Sequence, residues 1–587
     1  MAETTHDTGR TGLGGETRLF AARLATALVQ GAALYLLYWA AEHGAWPKTQ
    51  PALFGALVLT AGYAPIVVLA GAGRIGPRTL ALWTAVAALA LFLLGWHDVA
   101  RQTLQPHQTA PFLTFPALAF SAAALFIAHH LVVPAVRERR WIVDFHAYFD
   151  VAWKAGVQLV LSLGFTGVFW LLLHLGTALF DVIGLRVLGR LVGQEWFSIP
   201  VTCLVFAAAV QLTDVRDGLI RGVRTVALML LSWLLLVITV LAAGFLAALP
   251  FTGLEKLWGA GSATALVLSA AAALIVLINT AYQDGRPDNL PPAVLRHAAR
   301  VAAVLVTPLV ALAFWGLALR IGQHGLTPDR IIALACAVVG AVYAGGYLFA
   351  AVRPGSWMKP LERTNVAAAV LSVAVILALF SPVADPARLS VADQVARLER
   401  GTVSASAFDY DFLRFDSGKV GRAALGRLAR SGDAEVARLA RAAEQRAVRD
   451  FDTPGERRDR ARQVRLAPVS GQSLPDGLLA QVDALPDLLA FCRSGDPCVV
   501  RRIDLDGDGR DEALAATPYV VIALGQAADG RWRPLGRYSV RCGENRPGRL
   551  GEALKAGATT APATLPDLMT GGLRLEGQPE TACDDAG

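Results

Sequence analysis

Charge is scarce in this chain. Asp, Glu, Lys and Arg make up 17% of its 587 residues, where ordinary soluble domains carry about 25%. With 54% hydrophobic residues and a mean hydropathy of +0.46, that shortage excludes a plain soluble enzyme. The signatures of nucleotide, serine-hydrolase, zinc-protease and dinucleotide chemistry are missing too. Carboxylates are absent from the centres of the long apolar runs, which argues against an ion-coupled transporter. Cysteine is sparse, with six in the whole chain.

What is present divides at Asp385. Residues 1–384 hold 25 basic and 17 acidic side chains, whereas residues 385–587 hold 29 and 30. The first part reads as a membrane domain and the second as a soluble domain large enough for its own core. The basic excess sits in loops between apolar runs, so it is a topology signal rather than a nucleic-acid footprint.

A spanning helix needs about 20 mostly apolar residues. Eleven runs qualify, near residues 19–41, 52–72, 79–96, 111–135, 155–180, 196–213, 225–249, 261–282, 301–319, 331–351 and 364–382. The third and sixth are short, and the second contains Gly62 and Pro65. If the N-terminus is cytoplasmic, 17 basic residues fall on inside segments and seven on outside loops, with Arg23 inside the first span. The positive-inside rule therefore predicts this register. An odd number of spans then places the C-terminal domain in the periplasm. The first 17 residues are polar and the first apolar run is long, so a signal anchor is expected rather than a cleaved leader.

Cysteine placement votes on the same question. Cys203 and Cys336 lie in apolar runs, where the thiol behaves as a small hydrophobe. Cys492, Cys498, Cys542 and Cys583 all follow the membrane domain. Two disulfides are expected, and these persist in an oxidising compartment. Cys492 and Cys498 are spaced to close a tight loop, leaving Cys542 for Cys583. Three pairings remain open, as do four free thiols.

The expected organisation is a cytoplasmic tail (1–18), a transmembrane helical domain (19–384), a periplasmic helical segment with a charged linker (385–465) and a disulfide-containing domain (466–587). In the third segment, Val391, Val395 and Leu398 share one helical face, and a second helix is expected from Glu435 to Val448. Strands are expected at Val499–Ile503, Tyr519–Leu524 and Trp532–Val540, giving a small α+β or mostly β module.

Between the first two strands lies the sharpest chemical pattern, Asp504-Leu505-Asp506-Gly507-Asp508-Gly509-Arg510-Asp511-Glu512. Carboxylates at every second position converge if the loop curls, and Gly509 permits the turn. Asp504, Asp506, Asp508 and Glu512, with the Arg510 carbonyl, form an oxygen set suited to Ca²⁺, which takes 6–8 such ligands. The loop is no full EF-hand, because Ala515 stands where the bidentate Glu is needed. The competing reading is a solvated acidic turn without metal.

Polar residues at membrane depth are few. His174 either lines a cavity or bonds a neighbouring helix. His129 and His130 are expected at the interface, or less simply as metal ligands. Gln158, Gln211 and Asn279 fit as interhelical glue, and Gly340, Ala344, Gly345 and Gly346 suit close helix contact. The outward loop from Pro250 to Trp258 carries Glu255 and Lys256, which fit interfacial anchoring or contact with a substrate.

Two stretches carry a family resemblance. One is Ala248-Leu249-Pro250-Phe251-Thr252-Gly253-Leu254 followed by Leu277-Ile278-Asn279-Thr280-Ala281-Tyr282-Gln283-Asp284-Gly285. The other is Phe408-Asp409-Tyr410-Asp411-Phe412-Leu413-Arg414-Phe415-Asp416. Together they resemble a bacterial multi-spanning membrane family known as domain of unknown function four-one-five-three, over about residues 20–430. The resemblance implies a bacterial inner-membrane protein and supplies no activity. The function expected is that of an envelope sensor or scaffold, anchored in the lipid bilayer, with a calcium-binding module and a periplasmic protein partner. The rival is a transporter or flippase of an apolar or lipid substrate. A weaker third is a transferase acting on lipid-linked substrate.

Overall fold

The computed structural model describes residues 8–103, 111–215, 217–253, 263–286, 290–446, 462, 464–492, 497–517, 520–527, 529–538, 549–559, 568–570 and 573–575. Two compact units emerge, residues 1–448 and residues 449–587, and each is described by itself.

Among its described residues the first unit has eleven helices long and apolar enough to cross a bilayer. In chain order they belong to α1 (Thr8–Glu42), α2 (Pro51–Gly71), α3 (Pro77–Ala100), α4 (Phe115–Glu138), α5 (Phe145–Val182), then, after the short α6 (Val187–Val192), α7 (Glu195–Val215), α8 (Asp217–Thr252), α9 (Ala263–Tyr282), α10 (Ala293–His324), α11 (Pro328–Val352) and α12 (Leu361–Leu379). The chain is an integral membrane protein. All three doubtful runs are spanning helices. Pro65 is accommodated inside α2, as neighbouring helices allow in membranes. Starts are set by local chemistry: Pro51, Pro77 and Pro328 stand where an N–H would lack a partner anyway. Thr114 and Thr327 cap the amides of Ala117 and Arg330. Several helices outrun their apolar core. Helix α5 has 38 residues because the aromatic prelude Phe145–Lys154 continues the same helix.

Successive spans alternate in direction. The end of the bundle where α1 begins is the first end, and the other is the second end. One core joins α8, α9, α10 and α11 around Leu274, Ile278, Val306 and Tyr347. Another joins α2, α3, α4, α11 and α12 around Leu59, Leu91 and Ile376. Small residues permit the close approaches: a Cβ on Gly95 would lie 3.0 Å from the Ala56 Cα. Of the glycines singled out on α11, Gly346 packs on Thr364 and Gly340 faces Val310, while Gly345 looks into open space.

After α12 the chain folds back onto the second end. Helix α13 (Pro386–Glu399) places Arg397 against the Gly322 and Gln323 carbonyls, 3.2 and 2.9 Å away. These are carbonyls at the end of α10 that no further helical turn can satisfy. Asp393 accepts the Leu326 amide at 2.7 Å, and Ser390 donates to the Leu326 carbonyl at 2.8 Å. Val391 and Leu398 enter an apolar cluster with Phe408, Leu413 and Leu425, and Val395 packs beside it. That cluster is completed by α14 (Gly418–Leu428) and α15 (Ala434–Glu444). Gly418 has φ +58°, and a Cβ there would strike the Arg101 carbonyl.

The second unit holds a five-stranded sheet in the order β1 (Leu466–Pro468), β2 (Cys498–Ile503), β3 (Glu512–Ala516), β4 (Val521–Gln526) and β5 (Trp532–Tyr538). Strand β1 runs parallel to β2, and the rest form an antiparallel meander. Short helices α16 (Pro486–Phe491) and α17 (Arg549–Ala556) and a two-stranded piece, β6 (Leu568–Thr570) with β7 (Leu573–Leu575), complete the described part. Strand β3 was not anticipated. Its sequence, Glu-Ala-Leu-Ala-Ala, has no β-branched residue, yet all five residues are buried between β2 and β4.

Candidate functional site

The acidic loop is the connection between β2 and β3, closed by the pairing of Ile503 with Glu512. Its curl is made by its own carboxylates. Asp504 accepts the Gly507 and Gly509 amides at 2.7 and 3.0 Å, and Asp506 accepts the Asp508 amide at 3.1 Å. Glu512 accepts the Leu505 amide at 2.7 Å. Gly507 and Gly509 both adopt φ near +80°, a region that favours glycine. One carboxylate oxygen each from Asp504, Asp506 and Glu512 lies within 4.8 Å of the others. Asp508 stands apart from that trio and accepts the Arg510 amide at 2.8 Å.

In the same unit, Cys492 forms a disulfide with Cys498, the first residue of β2. Cys542 and Cys583 lie outside the described residues.

Among the described residues of the membrane unit, polar side chains gather at three places considered in turn. At the first end, Arg23 is 1% exposed. It donates to Gln211, to Asp214 at 2.7 Å and to the Ala72 carbonyl at 3.3 Å. Arg74 donates to the other Asp214 oxygen and to Gln158, both at 3.1 Å, and Lys154 stands 3.8 Å from Asp214. Asp214 thereby ties α1, α5 and α7 to the turn after α2. The sequence placed Arg23 in a span without giving it a partner. The signal was there: an arginine inside an apolar run demands a counter-charge at the same depth.

The second place joins α9, α11 and α12. Asn279 donates to the Tyr347 hydroxyl at 2.7 Å, Tyr347 donates to Asn365 at 2.8 Å, and Asn365 donates back to Asn279 at 2.6 Å. This closed ring makes Asn279 interhelical glue, and Asn365 is the member that sequence reading missed. One turn away, Tyr282 donates to Glu362 at 2.9 Å. A cavity of about 250 Å³ adjoins the ring and reaches His130. His129 and His130 are 4% and 7% exposed, buried among the helices. Trp83 bonds His129, and the Phe126 carbonyl bonds His130. His174 is elsewhere, exposed on α5 and tilted against Trp170 at 5.9 Å between ring centroids. Glu255 and Lys256 lie outside the described residues.

The third place, at the second end, locks the post-membrane helices to the bundle. Asp98, 1% exposed, accepts the Thr114 amide and hydroxyl and the Arg101 guanidinium. Asp385 caps α13 through the Ala387 amide at 2.9 Å, with His97 Nε2 at 3.2 Å and Arg101 at 3.5 Å. Burial alone pushes the Asp385 carboxyl up. The His97 ring, the Arg101 charge and the Ala387 amide outweigh burial and hold it below the ordinary carboxylate range. A depressed carboxyl stabilises fully above its unfolded value, about pH 3.9, and that contribution fades as pH falls through the folded value. Asp385→Asn is therefore expected to cost about 1–3 kcal/mol at pH 7. Its melting temperature should change less with acid than that of the parent. Parallel melts at pH 7, 5 and 3 read both.

These arrangements can be set against known proteins. The family model described as Domain of unknown function (DUF4153) matches residues 52–430. The chain belongs to the DUF4153 family. No curated protein and no solved structure matches it. The DUF4153 region takes in the Asn279–Tyr347–Asn365 ring, the Asp385 lock and the Phe408–Asp416 segment. In that segment, Phe408 and Tyr410 meet edge to face at 4.9 Å, Leu413 is fully buried, and Asp411 accepts from Arg446 at 2.6 Å. Those residues of the Phe408–Asp416 segment are thus core and locking residues. The acidic loop and the disulfide lie beyond the DUF4153 match, as does Arg23 before it.

Proposed function

We propose that this DUF4153 protein is an envelope sensor or scaffold in a bacterial inner membrane. Its N-terminus is cytoplasmic, and the sheet unit lies in the periplasm and meets a protein partner there. The Cys492–Cys498 disulfide supports an oxidising compartment, and the loop charges support the same orientation. The sheet unit is held in shape by Ca²⁺ at the β2–β3 loop. The convergence of Asp504, Asp506 and Glu512 oxygens within 4.8 Å carries that reading. The Arg510 carbonyl, Asp508 and water would complete a shell of the size calcium prefers. The ion acts as a structural staple: it neutralises clustered carboxylates and fixes the hairpin that joins two buried strands.

Calcium titration of the full-length protein in detergent tests this. A ligand that binds only the folded state at 100 times its Kd adds about 2.7 kcal/mol. The melting transition of the sheet unit is expected to rise with Ca²⁺ more than with Mg²⁺. Asp504→Asn with Asp506→Asn should abolish the rise. A flat titration would leave a solvated acidic turn as the better account.

The cavity beside Asn279 is the one observation that favours the rival reading, in which the bundle handles an apolar or lipid substrate.

A further inference from the structure

The turn between α4 and α5, at the first end of the bundle, leaves two large apolar side chains uncovered. Trp141 is 98% exposed and Ile142 73%. Beside them stand Arg137, Arg139 and Arg140, with Glu138 and Asp144, and all five are exposed. None of these five charged side chains forms an ion pair among the described residues. The turn is nonetheless held in shape. The Arg140 amide donates to the Ala135 carbonyl at 3.1 Å, and the Val143 amide donates to the Tyr148 hydroxyl at 3.2 Å. Val143 itself is buried. Arg139, just past the end of α4, adopts φ +52°, a left-handed position where helices usually place glycine. Arginine is less easily accommodated there, and in return it adds a third guanidinium to the turn.

Neighbouring contacts give the depth of this turn. The Phe145 ring, at the start of α5, meets the Tyr282 ring at 6.1 Å between centroids. Tyr282 is the last residue of α9, whose 20 residues are just enough to cross the hydrocarbon. The hydrocarbon edge therefore lies close to Phe145, and Trp141 comes four residues earlier in the chain. That puts the exposed pair at the layer of lipid headgroups, about 5–7 Å thick on each face of a bilayer. Tryptophan suits this layer because its ring is apolar while its N–H is polar. A soluble partner could meet the same side chains only if they stood clear of the bilayer.

We infer that the turn at residues 137–142 is a lipid-contact site: Trp141 and Ile142 enter the headgroup layer, and the guanidiniums beside them select anionic phospholipid. Guanidinium binds phosphate through several N–H donors at once. Three positive and two negative side chains leave residues 137–144 with a net charge of +1. One net positive charge near an anionic surface favours anionic over neutral lipid about fivefold. The inference holds whether the bundle scaffolds or transports. It is independent of calcium in the sheet unit and of which side of the membrane the first end faces.

Quenching by brominated lipid tests it on the full-length protein in vesicles of equimolar phosphatidylcholine and phosphatidylglycerol. Bromines are placed near the headgroup end of the chains, on one lipid or on the other. The chain has 13 tryptophans, so the Trp141 signal is taken as the difference between the parent and Trp141→Phe. Quenching of the remaining tryptophans shows that each variant is inserted. Trp141 is expected to be quenched by both lipids, with about a fivefold preference for brominated phosphatidylglycerol. Glu138→Gln should raise that preference. The triple variant Arg137→Gln, Arg139→Gln, Arg140→Gln should bring it to one or below while quenching by phosphatidylcholine persists. A Trp141 quenched by dissolved acrylamide and by neither lipid would overturn the inference and leave the turn to a soluble partner. So would equal quenching by the two lipids in the parent, or a preference unchanged in the triple variant.

Discussion

Asp214→Ala is expected to destabilise the membrane unit by about 3–5 kcal/mol, the usual result of removing one partner from a buried ion pair. Arg23 is 1% exposed and its charge would be left at depth with only Gln211 and a carbonyl for company. Arg74 and Lys154 lose the same counter-ion. The converse change is milder. Arg23→Leu leaves Asp214 held by Arg74 and Lys154, and an apolar side chain suits the position. The double variant Arg23→Leu, Asp214→Ala should recover most of the loss, because a buried pair replaced by apolar residues is often neutral. Chemical denaturation of the purified protein, followed by helical signal, gives the four values of the cycle. An Asp214→Ala shift below about 0.5 kcal/mol, ordinary for a surface substitution, would show that the cluster is solvated rather than buried.

The second large effect belongs to the other unit. Removing the disulfide with Cys492→Ala and Cys498→Ala should cost about 2–5 kcal/mol, towards the lower figure because the closed loop is short. The loss should be confined to the sheet unit, since the pair lies in that unit's core with Leu488, Val500, Ile522 and Trp532. Calorimetry should therefore show one transition moving down and the other holding its place. If a reductant leaves the sheet transition unmoved, the disulfide carries no stability.

How much of this was legible in advance follows from the physics of each signal. Spanning helices announce themselves because the bilayer fixes both length and polarity, so the eleven spans and even the proline-bearing second run could be read directly. Their ends were harder. The apolar stretch stops where lipid stops, but the helix continues, as Phe145–Lys154 does ahead of the apolar part of α5. In the sheet unit, β2 and β5 carried the usual branched and aromatic residues, whereas β3 is held by its neighbours and not by propensity.

The candidate sites divide in the same way. The curl of the acidic loop is local, made by Asp side chains accepting amides two to five residues on, so the spacing of Asp504, Asp506 and Glu512 was enough to suggest it. Tertiary pairings were not legible. Asn279 was visible as glue, but its partners Tyr347 and Asn365 lie 68 and 86 residues away. Arg23 and Asp214 are 191 residues apart. His174 drew notice for lying mid-span, yet it is exposed on α5, while the histidine at the cavity is His130. Hydropathy reports depth, and only packing reports which face of a helix a residue occupies.

The central proposal is one of placement: a membrane bundle whose disulfide-bonded sheet unit is proposed to lie outside the cytoplasm and to bind calcium there. Paired fusions after Gly587 test it most directly, one to alkaline phosphatase, which is active only after export, and one to green fluorescent protein, which fluoresces when left in the cytoplasm. The account predicts an active phosphatase fusion and a dark fluorescent fusion in a Gram-negative host. A bright fluorescent fusion with inactive phosphatase would contradict it, placing the sheet unit inside the cell and removing the calcium that its acidic loop is proposed to bind.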